Sequence, residues 1–223
     1  MAVTNPVESS VGDLTYKRVH DDLLHGRLAP GQKLKLDHLK SKYAVSISTL
    51  RETLNRLSSE GLVLAEGQKG FRVSPVSEKD LREIADLRLL LECHALTLSF
   101  AAGDLEWEGR IVAAHHKLAS MESRMLKETA EKDAGWKHFD RDFHAALISA
   151  CGSETLMRAH ADICDKYLRY QMLALTFRGE ISMKEHEMLL NFALDRDAEA
   201  AKQLLVIHIQ GGVDHAVRAG HLA

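Results

Sequence analysis

Asp140 and His144 stand four residues apart, a spacing that on a helix puts a carboxylate and an imidazole on one face. Leu147 and Cys151 continue that face, so it points into a core. His186 falls in a stripe with Leu189, Leu190 and Ala193, and His208 in one with Leu204, Leu205 and Gly212; both also face inward. A carboxylate buried with imidazoles is costly unless the groups are paired or bound to something. One Asp and three His converging from three helices form a donor set for a divalent transition metal, zinc first, with nickel and manganese as alternatives. A hydrogen-bonded core histidine is the competing reading at each position, and spacing alone leaves both open.

The chain carries 13 histidines, and the others read differently. His115 and His116 are adjacent and cannot share a helix face. His20, His25, His38, His138, His215 and His221 read as solvated, and His94 and His160 as core or pocket residues. Cys93, Cys151 and Cys164 lack a C-x-x-C spacing and read as small buried hydrophobes. Trp107 and Trp136 read as packing residues rather than ligand contacts.

A second kind of chemistry lies near the N-terminus. Leu50, Leu54 and Leu57 form a buried stripe, and the opposite side of the same segment offers Ser46, Ser48, Thr49, Arg51, Asn55 and Arg56. Small polar and basic residues on a helix suit the major groove of DNA, where hydroxyls meet phosphates and Arg reads guanine edges. Lys69 and Gly70 lie at a glycine-bearing tip that could reach the adjacent backbone or minor groove. Lys33-Leu34-Lys35-Leu36 reads either as a solvated strand or as a DNA-facing stretch through Lys35.

These residues need elements to hold them. The spacing of Tyr16, Val19 and Leu23 predicts a helix over roughly 10–25, followed by a turn at Leu28-Ala29-Pro30-Gly31. A short helix is expected over 37–43, a tight turn at Val45-Ser46, and a third helix to about Glu60 with Gly61 as its stop. Leu62-Val63-Leu64 and Phe71-Arg72-Val73 then read as a β-hairpin, which completes the order of a winged helix-turn-helix. Past Pro75 there is no proline, and helical periodicity runs through six segments: one from Leu81 to about Gly103, one around Trp107–Met121, then 133–151, 153–178, 182–195 and 197–219. The expected fold is mainly α: a winged helix-turn-helix over 1–76, and an all-α bundle over 77–223, with the boundary at Ser74-Pro75-Val76-Ser77.

Composition agrees with that division. Residues 1–76 carry 11 Lys and Arg against 8 Asp and Glu, whereas 77–223 carry 18 against 24. A basic unit joined to an acidic one implies that the first meets a polyanion and the second does not. Three cysteines in 223 residues make no disulfide framework, and with no signal-peptide pattern they point to the cytoplasm. No apolar run approaches the ~20 residues of a membrane helix, so no membrane partner is expected.

Gly31-Gln-Lys-Leu34, Val45-Ser-Ile-Ser-Thr-Leu-Arg51-Glu-Thr-Leu-Asn-Arg-Leu57, Glu60-Gly61-Leu62-Val63 and Lys69-Gly70-Phe71-Arg72-Val73 resemble the DNA-binding domain of GntR-family transcription regulators. The resemblance implies that Arg51 contacts a base or phosphate and Thr49 a phosphate. The chain departs from the pattern at Ile47 and Asp37, where members often carry arginine. Asp140-Arg-Asp-Phe-His144-Ala-Ala-Leu147, Glu185-His186-Glu-Met-Leu-Leu and Asp197-Ala-Glu-Ala-Ala-Lys-Gln-Leu-Leu-Val-Ile-His208 resemble the ligand-sensing all-α (FCD) domain of the FadR subgroup. That likeness implies that Asp140, His144, His186 and His208 hold the metal. Arg88 and Glu92 are similar to that domain's Arg-x-x-x-Glu pair, which implies an effector-facing Arg88; Ser153 stands where members often have Asn. Gln68–Val73 and Asp104-Leu-Glu106-Trp107 look most like repressors of glutarate and 2-hydroxyglutarate use.

The expected function is a homodimeric regulator, a repressor released from double-stranded operator DNA by a small carboxylate effector. A winged helix reads only a half-site, so two-fold symmetry matches a palindromic operator. Two rival readings fit the same residues. One is a metal-dependent hydrolase or lyase with a fused DNA-binding domain, for which the sequence offers no separate general-base motif. The other is a purely structural metal without an effector.

Overall fold

The computed structural model describes residues 10–127, 135–174, 177–220 and 222. The chain divides into two compact units, Met1–Val76 and Ser77–Ala223.

The first unit opens with α1 (Val11–Leu24), capped by the Ser10 side chain accepting from the Asp13 amide. Strand β1 (Lys33–Leu34) leads into α2 (Leu36–Tyr43), and Ala44 then turns through the left-handed region (φ 55°). Helix α3 (Ile47–Ser59) follows, with Leu50, Leu54 and Leu57 fully buried. Strands β2 (Val63–Ala65) and β3 (Phe71–Val73) complete an antiparallel sheet of order β1-β3-β2, with Leu34 opposite Phe71 and Val63 opposite Val73. Lys33 and Leu34 are therefore a true third strand with Leu34 buried, and Lys35 is the exposed residue that starts α2. The wing tip is a 3-10 turn at Gly67–Lys69, closed by Gly70 at φ 91°, a conformation that favours glycine. Arg72 ties the wing down through Glu66 Oε1 (2.7 Å) and the Gly31 carbonyl (2.7 Å).

The second unit holds α4 (Glu78–Ala102), α5 (Leu105–Lys127), α6 (Trp136–Leu147), α7 (Glu154–Ala174), α8 (Glu180–Leu194) and α9 (Ala198–Arg218). Helix α4 packs along α7 and α9, and α5 along α6 and α8. Helix α6 stops at Leu147, short of the expected 151, and α7 is described as far as Ala174, with Arg178, its expected end, outside a helix. Residues 133–134, 175–176 and His221 lie outside the described residues. Gly152 (φ 72°) sits in the α6–α7 connection, and Gly179 (φ 64°) caps α8.

Candidate metal centre and nucleic-acid interface

Asp140 and His144 come from α6, His186 from α8 and His208 from α9; all four are buried. One donor atom from each lies within 4.8 Å of the others. Donors bound at about 2.0–2.2 Å to one tetrahedral ion lie roughly 3.3–3.6 Å apart, a spacing that falls within this limit.

Each imidazole is gripped from behind. His144 Nδ1 donates to Glu92 Oε1 (2.5 Å), His186 Nδ1 to Glu122 Oε1 (2.9 Å) and His208 Nδ1 to Glu185 Oε2 (2.7 Å). An ionised carboxylate only accepts, so each Nδ1 that bonds a glutamate carries the hydrogen and turns its Nε2 away from that glutamate; Arg178 Nη2, 3.0 Å from His208 Nδ1, competes for the same position. His144 Nε2 and His186 Nε2 are buried without a hydrogen-bond partner, although His186 Nε2 lies 3.1 Å from Asp140 Oδ1. A buried nitrogen with no hydrogen-bond partner, such as His144 Nε2, is free to serve as a metal ligand, and the glutamate–histidine pairs are the outer contacts that orient metal-binding imidazoles. The residues fit a divalent ion.

Charge around the cluster follows from its neighbours. Burial pushes Asp140 up, but Lys137 and the histidines more than offset it and hold the carboxyl well below its usual range. Glu92 is likewise held low against burial by Arg88 and His144. His186 rises to about 9 against burial because Asp140 and Glu122 both face it, whereas burial takes His208 down to about 3.

Beside the donors lies a cleft of only about 20 Å³, lined by Lys137, Asp140, Gln171, Arg178, Ser182, His186, His208, Gly212 and His215 among others. That is room for about one water. Lys137 is buried, sits 3.8 Å from Asp140 Oδ2 and lies over the Trp136 ring; burial brings its ammonium down to about 8. Arg178 bonds Glu185, the glutamate behind His208. Glycines in α9 make this possible: a Cβ on Gly211 would stand 2.7 Å from Arg178 Nη1, and one on Gly212 2.7 Å from Tyr167 Oη.

Arg88, expected to face an effector, stands on α4 beside Glu92. It is buried behind the histidines, donates to Glu92 Oε2 (2.8 Å) and stacks on Tyr167, and it does not line the cleft. Lys137 and Arg178 are the cations that do. His215, expected in solvent, is half-buried on the cleft wall, and His94 is exposed. Glu122 carries no sequence signal, being 64 residues from the histidine it holds, and Glu185, although it stands beside His186 in the quoted motif, holds His208, 23 residues on.

In the first unit, Ser46 caps α3: its hydroxyl accepts from the Thr49 amide (3.1 Å) and meets the Ser48 and Thr49 hydroxyls at 2.7 and 2.9 Å. Three hydroxyls thus crowd a helix N-terminus, where free amides and the helix dipole favour a phosphate. Arg51, Asn55 and Ser48 are exposed on α3, Thr49 is half-buried, and Lys35 and Lys69 are exposed, with Gly70 half-buried on the wing. Arg56 faces elsewhere: its guanidinium lies over the Tyr16 ring of α1 at 3.7 Å and pairs with Glu60 (3.4 Å).

A helix-turn-helix with a wing, followed by an all-α bundle enclosing a buried donor cluster, defines a ligand-sensing, DNA-binding regulator. Comparisons with known proteins agree. The pattern of bacterial regulatory proteins of the gntR family matches residues 13–73, and that of the FCD domain residues 83–211. The chain is 39% identical over 206 residues to the HTH-type transcriptional regulator BphR of Paraburkholderia xenovorans (strain LB400), covering 92% of this chain and 84% of that one. It is 31% identical over 201 residues to the HTH-type transcriptional repressor GlaR of Escherichia coli (strain K12), covering 87% and 90%. Among solved structures, E. coli McbR/YncC shares the fold with a TM-score of 0.78 at 19% identity, covering 95% of this chain and 99% of that one. A GntR transcriptional regulator from Rhodococcus sp. RHA1 does so at 0.75 and 22%, covering 93% and 97%. The chain belongs to the GntR family of bacterial regulatory proteins and carries an FCD domain after its DNA-binding domain. It is a transcription regulator rather than an enzyme. Among the described residues, no helix is long and apolar enough to cross a membrane.

Proposed function

We propose that this regulator is a cytoplasmic, homodimeric repressor whose grip on operator DNA is set by a small di- or hydroxy-carboxylate anchored at the Asp140/His144/His186/His208 centre. The observation that carries this reading is the pairing of each histidine with its own glutamate, which turns three Nε2 atoms and one carboxylate toward a common point. A divalent ion there, zinc first by donor chemistry with nickel or manganese as alternatives, supplies a fixed positive charge for an effector carboxylate.

The chain's own residues do the rest. Lys137 and Arg178 border the cleft as cations, and Gln171 and Ser182 add polar groups. At about 20 Å³ the cleft is too small for a dicarboxylate, so effector entry requires side chains to move. Arg178 is the natural gate, because it stands on the connection between α7 and α8 and holds Glu185. An effector carboxylate competing for Arg178 loosens that pair and shifts α8 and α9 with it; ~1–3 kcal/mol of coupling suffices to change operator occupancy appreciably. Arg88 serves the response from behind, by holding Glu92 against His144. Exposed Leu87, Leu90 and Leu98 on α4 and Ile207 on α9 favour pairing through these neighbouring helices. On the DNA side, Ser46, Ser48, Thr49, Arg51 and Asn55 of α3 and its cap meet the major groove, with Lys35, Lys69 and Gly70 on flanking backbone.

The test is metal analysis combined with operator release. Purified protein should carry about one ion per chain at this centre, and a di- or hydroxy-carboxylate should release it from DNA. Lys137→Gln should keep ion and operator affinity yet respond at least tenfold less sensitively to effector. Chelation that leaves both stability and effector-driven release unchanged overturns the metal-anchored reading.

A further inference from the structure

Behind the three-histidine centre lies a second group that its geometry does not require. Glu92 on α4, His160 and Cys164 on α7 are all buried, and one donor atom from each lies within 4.8 Å of the others. His160 and Cys164 are four residues apart, so α7 presents both on one face. His160 Nε2 stands 3.2 Å from Cys164 Sγ and 3.3 Å from Glu92 Oε2. Sulfur and nitrogen bound at about 2.3 and 2.0–2.1 Å to one tetrahedral ion sit roughly 3.5 Å apart, and nitrogen and oxygen roughly 3.3 Å. The two separations from His160 are thus close to the edges of a coordination tetrahedron, and the third side lies within 4.8 Å.

Glu92 does not need these partners. Its Oε1 accepts from His144 and its Oε2 from Arg88, which satisfies the carboxylate and balances its charge. An imidazole and a thiol added to a satisfied carboxylate are surplus to its needs, and apolar side chains would fill the same space with less polar burial. We infer that Glu92, His160 and Cys164 form a second, sulfur-containing site for a thiophilic divalent ion of the zinc class. Binding replaces the Cys164 thiol proton, and any proton on His160, by sulfur–metal and nitrogen–metal bonds; the protons leave to solvent and no electron is transferred. The Arg88 guanidinium opposes a cation here, but the Glu92 carboxylate and the Cys164 thiolate together outweigh it. A thiolate donor favours softer ions than the histidine–aspartate centre does, so the two sites sort ions differently, and Glu92, shared by both, couples them.

Cobalt(II) is the probe, because sulfur ligation alone gives an intense near-ultraviolet charge-transfer band. The full chain loaded with Co²⁺ should bind about two ions and show that band. Cys164→Ser and His160→Gln should each lower the count to about one, with Cys164→Ser abolishing the band, while Cys93→Ser and Cys151→Ser leave both unchanged. His144→Ala should remove the nitrogen–oxygen ion and keep the band, which separates this site from the centre proposed above. No band in the parent protein, or a band that survives Cys164→Ser, overturns the inference; the trio is then a hydrogen-bonded brace.

Discussion

An imidazole has two nitrogens, and in this bundle each does separate work. Nδ1 anchors the ring to a glutamate, and Nε2 is left for the common point. Replacing Glu122 by Gln keeps an acceptor for His186 Nδ1 but removes the charge that raises the ring's basicity, so ion affinity should fall about 10–100-fold in chelator competition while the fold persists. Unchanged affinity would show that Glu122 is only a packing partner. On α3, Arg51 stands exposed one turn from the Ser46 cap. Arg51→Ala should weaken operator binding by ~1–3 kcal/mol if it reads a base, and less if it touches phosphate alone, with no change in melting temperature. Mobility-shift titration against operator and unrelated DNA decides between them. The four proposed ligands are legible in the sequence because a buried polar residue breaks an apolar stripe at a fixed helical period. Their glutamates are not: Glu92 is 52 residues from His144, and no local periodicity links positions that only tertiary packing brings together. Arg88 stands out in the sequence only through its likeness to the Arg-x-x-x-Glu pair, and its side-chain direction, toward Glu92 and Tyr167, depends on that same packing.

At the scale of elements, α9 shows how two missing side chains shape a site. Tyr167 Oη donates to the Ile209 carbonyl (3.2 Å) and occupies the space a Cβ on Gly212 would need. Alanine normally favours a helix over glycine by up to about 1 kcal/mol, but the 2.7 Å approach here must be relieved by a buried ring. Gly212→Ala should therefore lower stability by a net ~1–2 kcal/mol, read as a fall in thermal midpoint; a rise would mean that Tyr167 relaxes freely. Helices were legible where apolar spacing is long and regular, as in α3 and α4, and less so at their ends, which are set by local turns such as the one after Leu147. Strand β1 is two residues long, too short for alternation to declare itself, and it exists because β3 offers an open edge.

Across the whole molecule, the two units respond differently to their surroundings. In the DNA-binding unit, Asp22 is buried and accepts from the Tyr43 hydroxyl (2.7 Å), with Lys42 Nζ at 2.7 Å and Arg27 alongside. Burial raises its pKa, but Lys42, Tyr43 and Arg27 outweigh it and hold the carboxyl at about 2. A depressed acid stabilises the fold above its unfolded value near 4, and that contribution, at most about 2.6 kcal/mol, is lost as pH falls through about 2. Urea midpoints of this unit should drop between pH 5 and pH 2, and Asp22→Asn should be less stable at neutral pH with a flatter profile. Parallel profiles would place the acid sensitivity elsewhere. In the second unit, the proposed donors and their glutamates are drawn from α4, α5, α6, α8 and α9, and all are buried. On the reading proposed here, an ion so enclosed departs only when the cleft-lining side chains and the helices that carry them move, so its exchange runs on the clock of local opening rather than of bond breaking. Each molecule then keeps the ion that was present when it folded, and the population becomes a slow record of past metal supply, diluted by new synthesis rather than erased by equilibration.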